Sequence, residues 1–391
     1  MIMSKKKAQK RLDMEGDTSI NLAFEIIFFI FTRLPVKSLL RFQSVSKSWN
    51  VILVEQKFKK AHRDQSKALG REKLMIQRNN GNFELRDLEI GHSQLCLIEE
   101  QLFPLKRFQC GEILCSCDGL VLLKANNSDK EYVLWNPSTR EYRILDSGPY
   151  LNNHEDGCPK ACGLCYDSNL DDYKVILIYN SFYVVYSSNK SCWTKKTSFP
   201  CPIRLFNNRC SQGISTGESV FWSLNWCLIN QYVDSQTSTI IYFDVKSDVL
   251  KKLSLPEFIG VNGFFSLNTL KGRLSLYGGT YHDKELDIWI MEQDGWKWLM
   301  NVCNLPYICI KFVQDRKLLW CSKNGEIIFH GQWNQQLIIY YPKRKQFVTV
   351  ADMSKDSMYA TALTCLDSSY FPGLNVKEEV TVPRLRDGAM I

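Results

Sequence analysis

Two spacings divide the chain. Across residues 22–62, LAFEIIFFIFTRLPVKSLLRFQSVSKSWNVILVEQKFKKAH, apolar positions recur at helical intervals, and from Lys73 onward they alternate. Leu22, Ile26 and Ile30 form one stripe of a first helix, while Phe24, Ile27, Phe28 and Phe31 cover its other side, so this helix wants burial all round. Pro35 halts it and suits the first turn of a second helix over Val36 to Phe42, because its φ is already helical and its missing N–H costs nothing there. Ser44 or Ser46 can cap a third helix with Val45, Trp49, Ile52 and Leu53 on its stripe, running on towards Phe58 and His62. Three helices in about forty residues leave apolar surface uncovered, which implies a partner.

Residues 63–72, RDQSKALGRE, are polar with a glycine and are expected to be a linker. Then KLMIQRNNGNFELRDLE reads as strand, Asn80-Gly81 turn, strand. The rest of the β-region repeats: VLWNPSTREYRIL, VVYSSNKSCWTK, IIYFDVKSDVLKKLSLP, DIWIMEQDGWKWLM and IIYYPKRKQFVTV align on Trp135, Tyr186, Phe243, Trp289 and Tyr341, at spacings of 51, 57, 46 and 52 residues. Upstream of most lies a strand pair opened by a glycine turn: CDGLVLL, GESVFWSL, LKGRLSLYGG, KNGEIIFHG. A period near fifty with about four strands per unit is the signature of propeller blades. Five blades are visible and 73–110 furnishes another, with closure by strands from both ends, giving about six blades and seven as the alternative. The expected architecture is a small all-α module followed by a large all-β propeller-like domain. Its boundaries are a basic flexible tail at 1–18, the module at 19–62, the linker at 63–72, the β-domain at 73–370 and a flexible tail at 371–391.

The helical residues resemble the F-box: Leu22, Glu25, Ile26, Ile27, then RLPVKSLLRF at 33–42, VSKSW at 45–49, Phe58 and His62. The run is similar to the plant form of the motif. It departs at Ala23, where the family carries the Pro of a Leu-Pro pair, and at Gln56, where the family has a Pro. The β-region resembles the F-box-associated, kelch-like domain of plant F-box proteins, through SCDGLVLL and WNPSTR, GLCYD with DDYKV, FDV, LKGRLSLYGG and LDIWIM. The resemblance implies a substrate-recognition subunit of a Skp1-cullin-F-box ubiquitin ligase. Leu22, Ile26, Ile30, Leu34, Pro35, Leu39, Leu40, Val45 and Trp49 would bind a Skp1-type adaptor and through it a cullin, and the propeller would hold an unknown target protein. A recruitment protein without a degradative role is the alternative, and an enzyme on a propeller scaffold the lesser one.

Composition and charge change this picture in a few places. Residues 1–78 carry 17 Lys and Arg against 7 Asp and Glu, leaving 32 against 34 beyond. Such a basic module fits nucleic acid, an import signal or an acidic protein partner, and the resemblance favours the third because the implied adaptor is acidic in that family; the propeller is disfavoured for nucleic acid. Lys5, Lys6, Lys7, Lys10 and Arg11 read as a solvated tail, with a nuclear-import signal as the alternative. The apolar run at 26–31 is far short of the ~20 residues of a membrane span, and the N-terminus is not a secretory signal. Fifteen Cys in such a chain suggest reduced thiols in cytoplasm or nucleus. Gly213 to Gly217 spells GxSxG, but an alternating aromatic strand follows it rather than a helix, so no nucleophile is assigned. His154, Cys158, Cys162 and Cys165 lie within twelve residues at irregular spacing, and the cysteines read as packing thiols rather than as ligands of a zinc site, as do Cys115 and Cys117 on one strand face. The ten Trp are expected in blade cores. No catalytic residue, metal or cofactor is assigned.

Overall fold

A computed structural model describes residues 24–78, 82–88, 97–102, 111–125, 131–145, 159–198, 210–224, 239–256, 263–280, 285–305, 316–322, 324–331, 336–352 and 361–373. Four helices come first: α1 over 24–31, α2 Val36–Phe42, α3 Lys47–Val54 and α4 Gln56–Leu69. The second has its expected bounds, with Pro35 one position earlier than expected, as N-cap at φ −61° and ψ 148°. The expected third helix is two, because Glu55 is extended at ψ 135° and breaks the chain between α3 and α4. Residues 63–69 are therefore not a linker but the second half of α4. Composition conceals this because the buried stripe of α4 is Phe58, His62, Arg63 and Ser66, largely polar groups that no hydrophobic periodicity detects. Gly70, at φ +65°, ends the helix. Its N–H meets the Lys67 carbonyl and the Arg71 N–H the Ser66 carbonyl, both at 3.0 Å, a pair of bonds that only a left-handed terminal residue permits. No helix among the described residues is long and apolar enough to cross a membrane.

The β-region is a six-bladed propeller. Blade 1 holds β1 Glu72–Gln77, β2 Asn82–Asp87 and β3 Leu97–Leu102. Blade 2 holds β4 Glu112–Cys117, β5 Leu120–Lys124, β6 Tyr132–Trp135 and β7 Tyr142–Leu145. Blade 3 holds β8 Ala161–Asp167, β9 Asp172–Ile178, β10 Tyr183–Ser187 and β11 Cys192–Lys196, with the short β12 Ser211–Gln212 beside β8. Blade 4 is β13 Ile214–Thr216, β14 Ser219–Leu224, β15 Thr239–Asp244 and β16 Val249–Leu253. Blade 5 is β17 Gly263–Leu270, β18 Arg273–Thr280, β19 Leu286–Glu292 and β20 Gly295–Val302. Blade 6 is β21 Arg316–Cys321, β22 Ile327–Gly331, β23 Gln336–Tyr341 and β24 Gln346–Asp352. The last strand, β25 Thr361–Leu366, pairs antiparallel with β1, so blade 1 is assembled from both ends of the domain as expected. The innermost strands β25, β4, β8, β13, β17 and β21 touch one another around a complete circuit. Six blades close that circuit.

The repeat is legible residue by residue. Trp135, Tyr186, Phe243, Trp289 and Tyr341 all fall in the third strand of their blades. Six apolar clusters fill the spaces between successive blades, and alternation can divide one strand between two of them: in β1, Leu74 and Ile76 pack with blade 6 while Met75 packs with blade 2. The Asn80-Gly81 turn lies outside the described residues, though the strands on either side of it pair antiparallel. Among the tryptophans, Trp135 and Trp222 are fully buried in blade cores, while Trp298 is exposed against expectation. The expected C-terminal tail starts later than residue 371, since Phe371 is buried and the Pro372 and Gly373 carbonyls accept bonds from Arg143. The tails at 1–18 and 374–391 lie outside the described residues.

Candidate partner-docking surface

The module's own core is small and aromatic. Phe31, Leu39, Ile52, Leu53 and Phe58 are buried in it, with Ile27, Phe28, Leu34, Phe42 and Trp49 packed partly against them. Phe31 meets Trp49 edge-on at 5.3 Å between ring centroids, and Phe28 meets Phe58 likewise at 5.3 Å. Full burial of side chains such as Phe58 and Leu53 contributes about 1.5–3 kcal/mol each. That holds the helices together.

One side of the module is sealed onto the turns of blades 2 and 3 and onto the segment 367–373 that follows β25. Asp367 is the centre of the seal. Its carboxylate accepts the Val36 N–H at 3.2 Å, the Lys73 ammonium at 2.8 Å and the Ser138 hydroxyl at 2.9 Å. No side chain of its own caps α2, so a carboxylate from the far end of the chain satisfies an orphan donor at its N-terminus, where negative charge is also favoured. His62 adds a second tie: Nε2 donates to the Leu34 carbonyl at 2.9 Å, and Nδ1 accepts the Ser369 N–H at 3.3 Å. The bond accepted at Nδ1 needs the neutral ring, whereas the Nε2–H donates in either form; burial lowers the pKa, opposed by the bond to Leu34 and the charge of Asp367.

Charge completes the attachment. Along α4, Lys59 pairs with Glu141 at 3.2 Å, Lys67 with Asp118 at 2.7 Å, and Lys60 with Asp171. Arg63 lies 4.1 Å over the Tyr166 ring and donates to the Tyr173 hydroxyl at 3.3 Å. Part of the module's basic excess is thus spent on acidic propeller turns within the chain rather than on a partner. Lys37, Arg41, Lys47 and Lys57 remain exposed. The WNPSTR motif belongs to the same joint. The fully buried Asn136 donates to the Ser368 and Tyr370 carbonyls at 2.9 and 2.8 Å, while its Oδ1 accepts the Ser138 and Thr139 N–H groups. Gly119 of CDGLVLL sits at φ +91° against this segment, and a Cβ there would come within 2.7 Å of the Ser368 side chain.

The opposite side of the module is bare. Ile26, Ile30, Pro35, Leu40 and Val45 are exposed, Leu34 and Trp49 are half-buried, and Leu22 lies outside the described residues. Leu39 corrects the expectation, being 2% exposed inside the module core, where it supports the surface without forming it. Phe24, Phe29, Val51 and Val54 are exposed and stand outside the expected set. Phe29 follows Ile26 by three residues and so belongs to its stripe, a spacing that the sequence makes readable. The stripe of Ile26 and Ile30 is the uncovered one, and Ile27, Phe28 and Phe31 face the core. So many exposed large apolar side chains on four short helices are the mark of a surface that takes a partner.

The other candidate chemistries dissolve into packing. Ser215 of GxSxG stands in β13, on a strand–turn–strand path, and its hydroxyl donates to the Leu164 carbonyl. Cys162 and Cys165 share β8 but face different inter-blade clusters, so one metal ion cannot take both. Burial pushes the Cys165 thiol up, and His154 and Cys158 lie outside the described residues. Cys115 and Cys117 share one face as expected. At the axis is a cavity of about 60 Å³, lined by the innermost strands. Its polar groups tie blade to blade: Ser116 donates to the Thr364 carbonyl at 2.7 Å, Gln212 to Ile113 at 3.2 Å, and Asn268 to Leu318.

The chain matches the family model described as the F-box domain over residues 20–61 and that described as the F-box associated beta propeller domain over residues 89–365. In Arabidopsis thaliana it is similar to the F-box/kelch-repeat protein At3g23880, 28% identical over 73% of this chain and 80% of the relative. It is also similar to the F-box protein CPR1, 24% identical over 88% and 87%, and to the F-box protein At5g49610, 28% identical over 82% and 88%.

Proposed function

From the premise that this chain belongs to the F-box proteins carrying an F-box associated β-propeller domain, we propose that it is the substrate receptor of a Skp1-cullin-F-box ubiquitin ligase. The coarser role, an F-box substrate adaptor, comes with the family. The finer reading rests on one observation: the module is sealed to the propeller on one side and carries a bare apolar stripe on the other. A Skp1-type adaptor covers that stripe, with Ile26, Phe29, Ile30, Leu40 and Val45 as its contacts and Leu34 and Trp49 at its margin. The exposed Lys37, Arg41, Lys47 and Lys57 suit an acidic adaptor. The propeller holds the target protein, and the adaptor brings the cullin.

In this role the chain performs no covalent step. It raises the effective concentration of target lysines at a ubiquitin-charged enzyme held elsewhere in the assembly. The rigid seal through α4, Asp367 and His62 gives that proximity a defined geometry, because the propeller cannot swing on a flexible linker. Cytoplasm, nucleus or both is the expected setting. The test is co-purification from plant cells under proteasome inhibition, with the full chain and with Ile26→Asp/Ile30→Asp. Adaptor and cullin are expected with the first and absent from the second. Equal recovery from both would remove the proposed contact surface.

A further inference from the structure

Which surface takes the target is a separate question that rests on the receptor reading. Of the large apolar side chains of the propeller, three are exposed among the described residues: Leu170, Trp298 and Leu299. Two of them are neighbours. They lie on β20, the outermost strand of blade 5, across the six-membered ring from blade 2 and so away from the seated helices. A bulge creates the pair, for Ile288 opposes Met300 while Trp289 opposes Trp298, which makes Leu299 an extra residue in the ladder. Regular alternation would send adjacent side chains to opposite faces, whereas the bulge leaves these two outside together, at 57% and 42% exposure.

The surroundings of Trp298 are acidic and ordered. Its indole N–H donates to Asp287 Oδ1 at 3.0 Å, the same oxygen accepts from Asn301 at 3.1 Å, and Asn301 also donates to Glu285 at 3.3 Å. These bonds hold the ring by its edge, while more than half of the side chain stays open to solvent. Neither Asp287 nor Glu285 has a cationic partner among the described residues. Glu292, at the other end of the hairpin, does: Arg273 at 2.9 Å and Lys297 at 3.6 Å. An ordered indole beside two carboxylates that lack a counter-charge is complementary to a cationic side chain, and Leu299 next to it is complementary to an aliphatic one.

We propose that Trp298, Leu299, Asp287 and Glu285 dock a basic segment of the target protein, with a Lys or Arg laid on the indole between the carboxylates and an aliphatic neighbour on Leu299. The bulge disfavours addition of a further strand at this edge, so recognition runs through side chains. The test uses the full chain co-expressed with a Skp1-type adaptor and a fluorescein-labelled peptide, Gly-Leu-Arg-Leu-Lys-Leu-Arg-Gly, titrated by anisotropy. The peptide is expected to bind and to weaken with salt. Its analogue with Glu in place of Arg and Lys, and the variants Trp298→Ala and Asp287→Asn/Glu285→Gln, should each cost about tenfold or more in affinity. Equal affinity for the two peptides, or unchanged affinity in Trp298→Ala, overturns the proposal. Absence of the adaptor from the parent preparation would count against the receptor reading instead, and the peptide titration still decides the patch.

Discussion

The helical module and the propeller treat the same kind of residue in opposite ways. In the propeller nearly every large apolar side chain among the described residues is inside, shared between two blades, and three are exposed. In the module, a fraction of its size, nine are exposed, including Phe24, Ile26, Phe29 and Ile30 on one helix. A ring of sheets can bury every face because each blade has two neighbours, and its closure leaves none unmatched. Four short helices have a single core and a single seat. The difference separates a part that is complete by itself from a part completed by association.

The comparison breaks most severely if the ring is opened. Ending the chain at residue 360 removes β25, which is the inner strand of blade 1 and the neighbour of β4 and β21, and with it the 367–373 segment that seats the helices. Loss of cooperative melting and insoluble protein are expected, since two apolar faces and a strand edge are exposed at once. Ending it after Leu299 acts through the same strand besides removing blade 6. A soluble product with one sharp thermal transition would show that the blades do not depend on closure.

Within the module, two substitutions separate structure from docking. Trp49 packs on Phe31 and Phe42, so Trp49→Ala should cost up to about 3 kcal/mol of module stability, seen as early loss of protection in hydrogen exchange across α1–α3. Ile30→Asp changes an exposed position and should alter stability by less than about 0.5 kcal/mol. Its effect belongs to the adaptor instead, at about 2 kcal/mol or more of binding, roughly thirtyfold in Kd by titration calorimetry. Equal loss of stability in both variants would mean that the stripe is core.

These contrasts also mark where reading a sequence succeeds. The blades are legible because sheet alternation, glycine turns and third-strand aromatics recur five times, and a pattern that repeats tolerates local errors. The helical stripe of Ile26 and Ile30 is legible for the same periodic reason. The joint is not. Arg63, Ser66, His62, Asp367 and Asn136 are polar residues buried by partners far away in sequence, such as Asp367 on the N–H of Val36, and nothing local marks them. Hence the second half of α4 has the composition of a linker, and the start of the C-terminal segment that of a tail. Leu39 shows the converse, because periodicity finds an apolar face but does not say which neighbour covers it.

The joint between the two regions should respond to pH. Unfolded, His62 titrates near 6.5, and in the fold burial holds it lower. Between those two values the unfolded chain binds more protons than the folded one. The contribution is therefore complete above about pH 6.5 and is lost as pH falls towards the folded value. Protonation also removes the Nδ1 acceptor of the Ser369 N–H. Acidification from pH 7 to 5 should raise the exchange of that amide beyond its intrinsic rate, and His62→Gln should flatten the pH dependence of the melting temperature. An unchanged slope in the variant would assign the effect to other groups.

The smallest expected effect refines the boundary between α3 and α4, which the sequence conceals. Gln56 is the first residue of α4, where a proline's fixed φ is already helical and its absent N–H is one that no helical carbonyl would have met. Glu55 before it is extended at φ −63° and ψ 135°, the conformation that a following proline demands. Gln56→Pro should therefore fit without strain and stabilise by about 0.4–1 kcal/mol, chiefly by restricting the unfolded chain. Because α4 is sealed to the propeller, the gain should appear in the melting of the whole chain and leave adaptor affinity unchanged. Destabilisation would mean that α3 and α4 run on as one helix in solution, with the break at Glu55 gone.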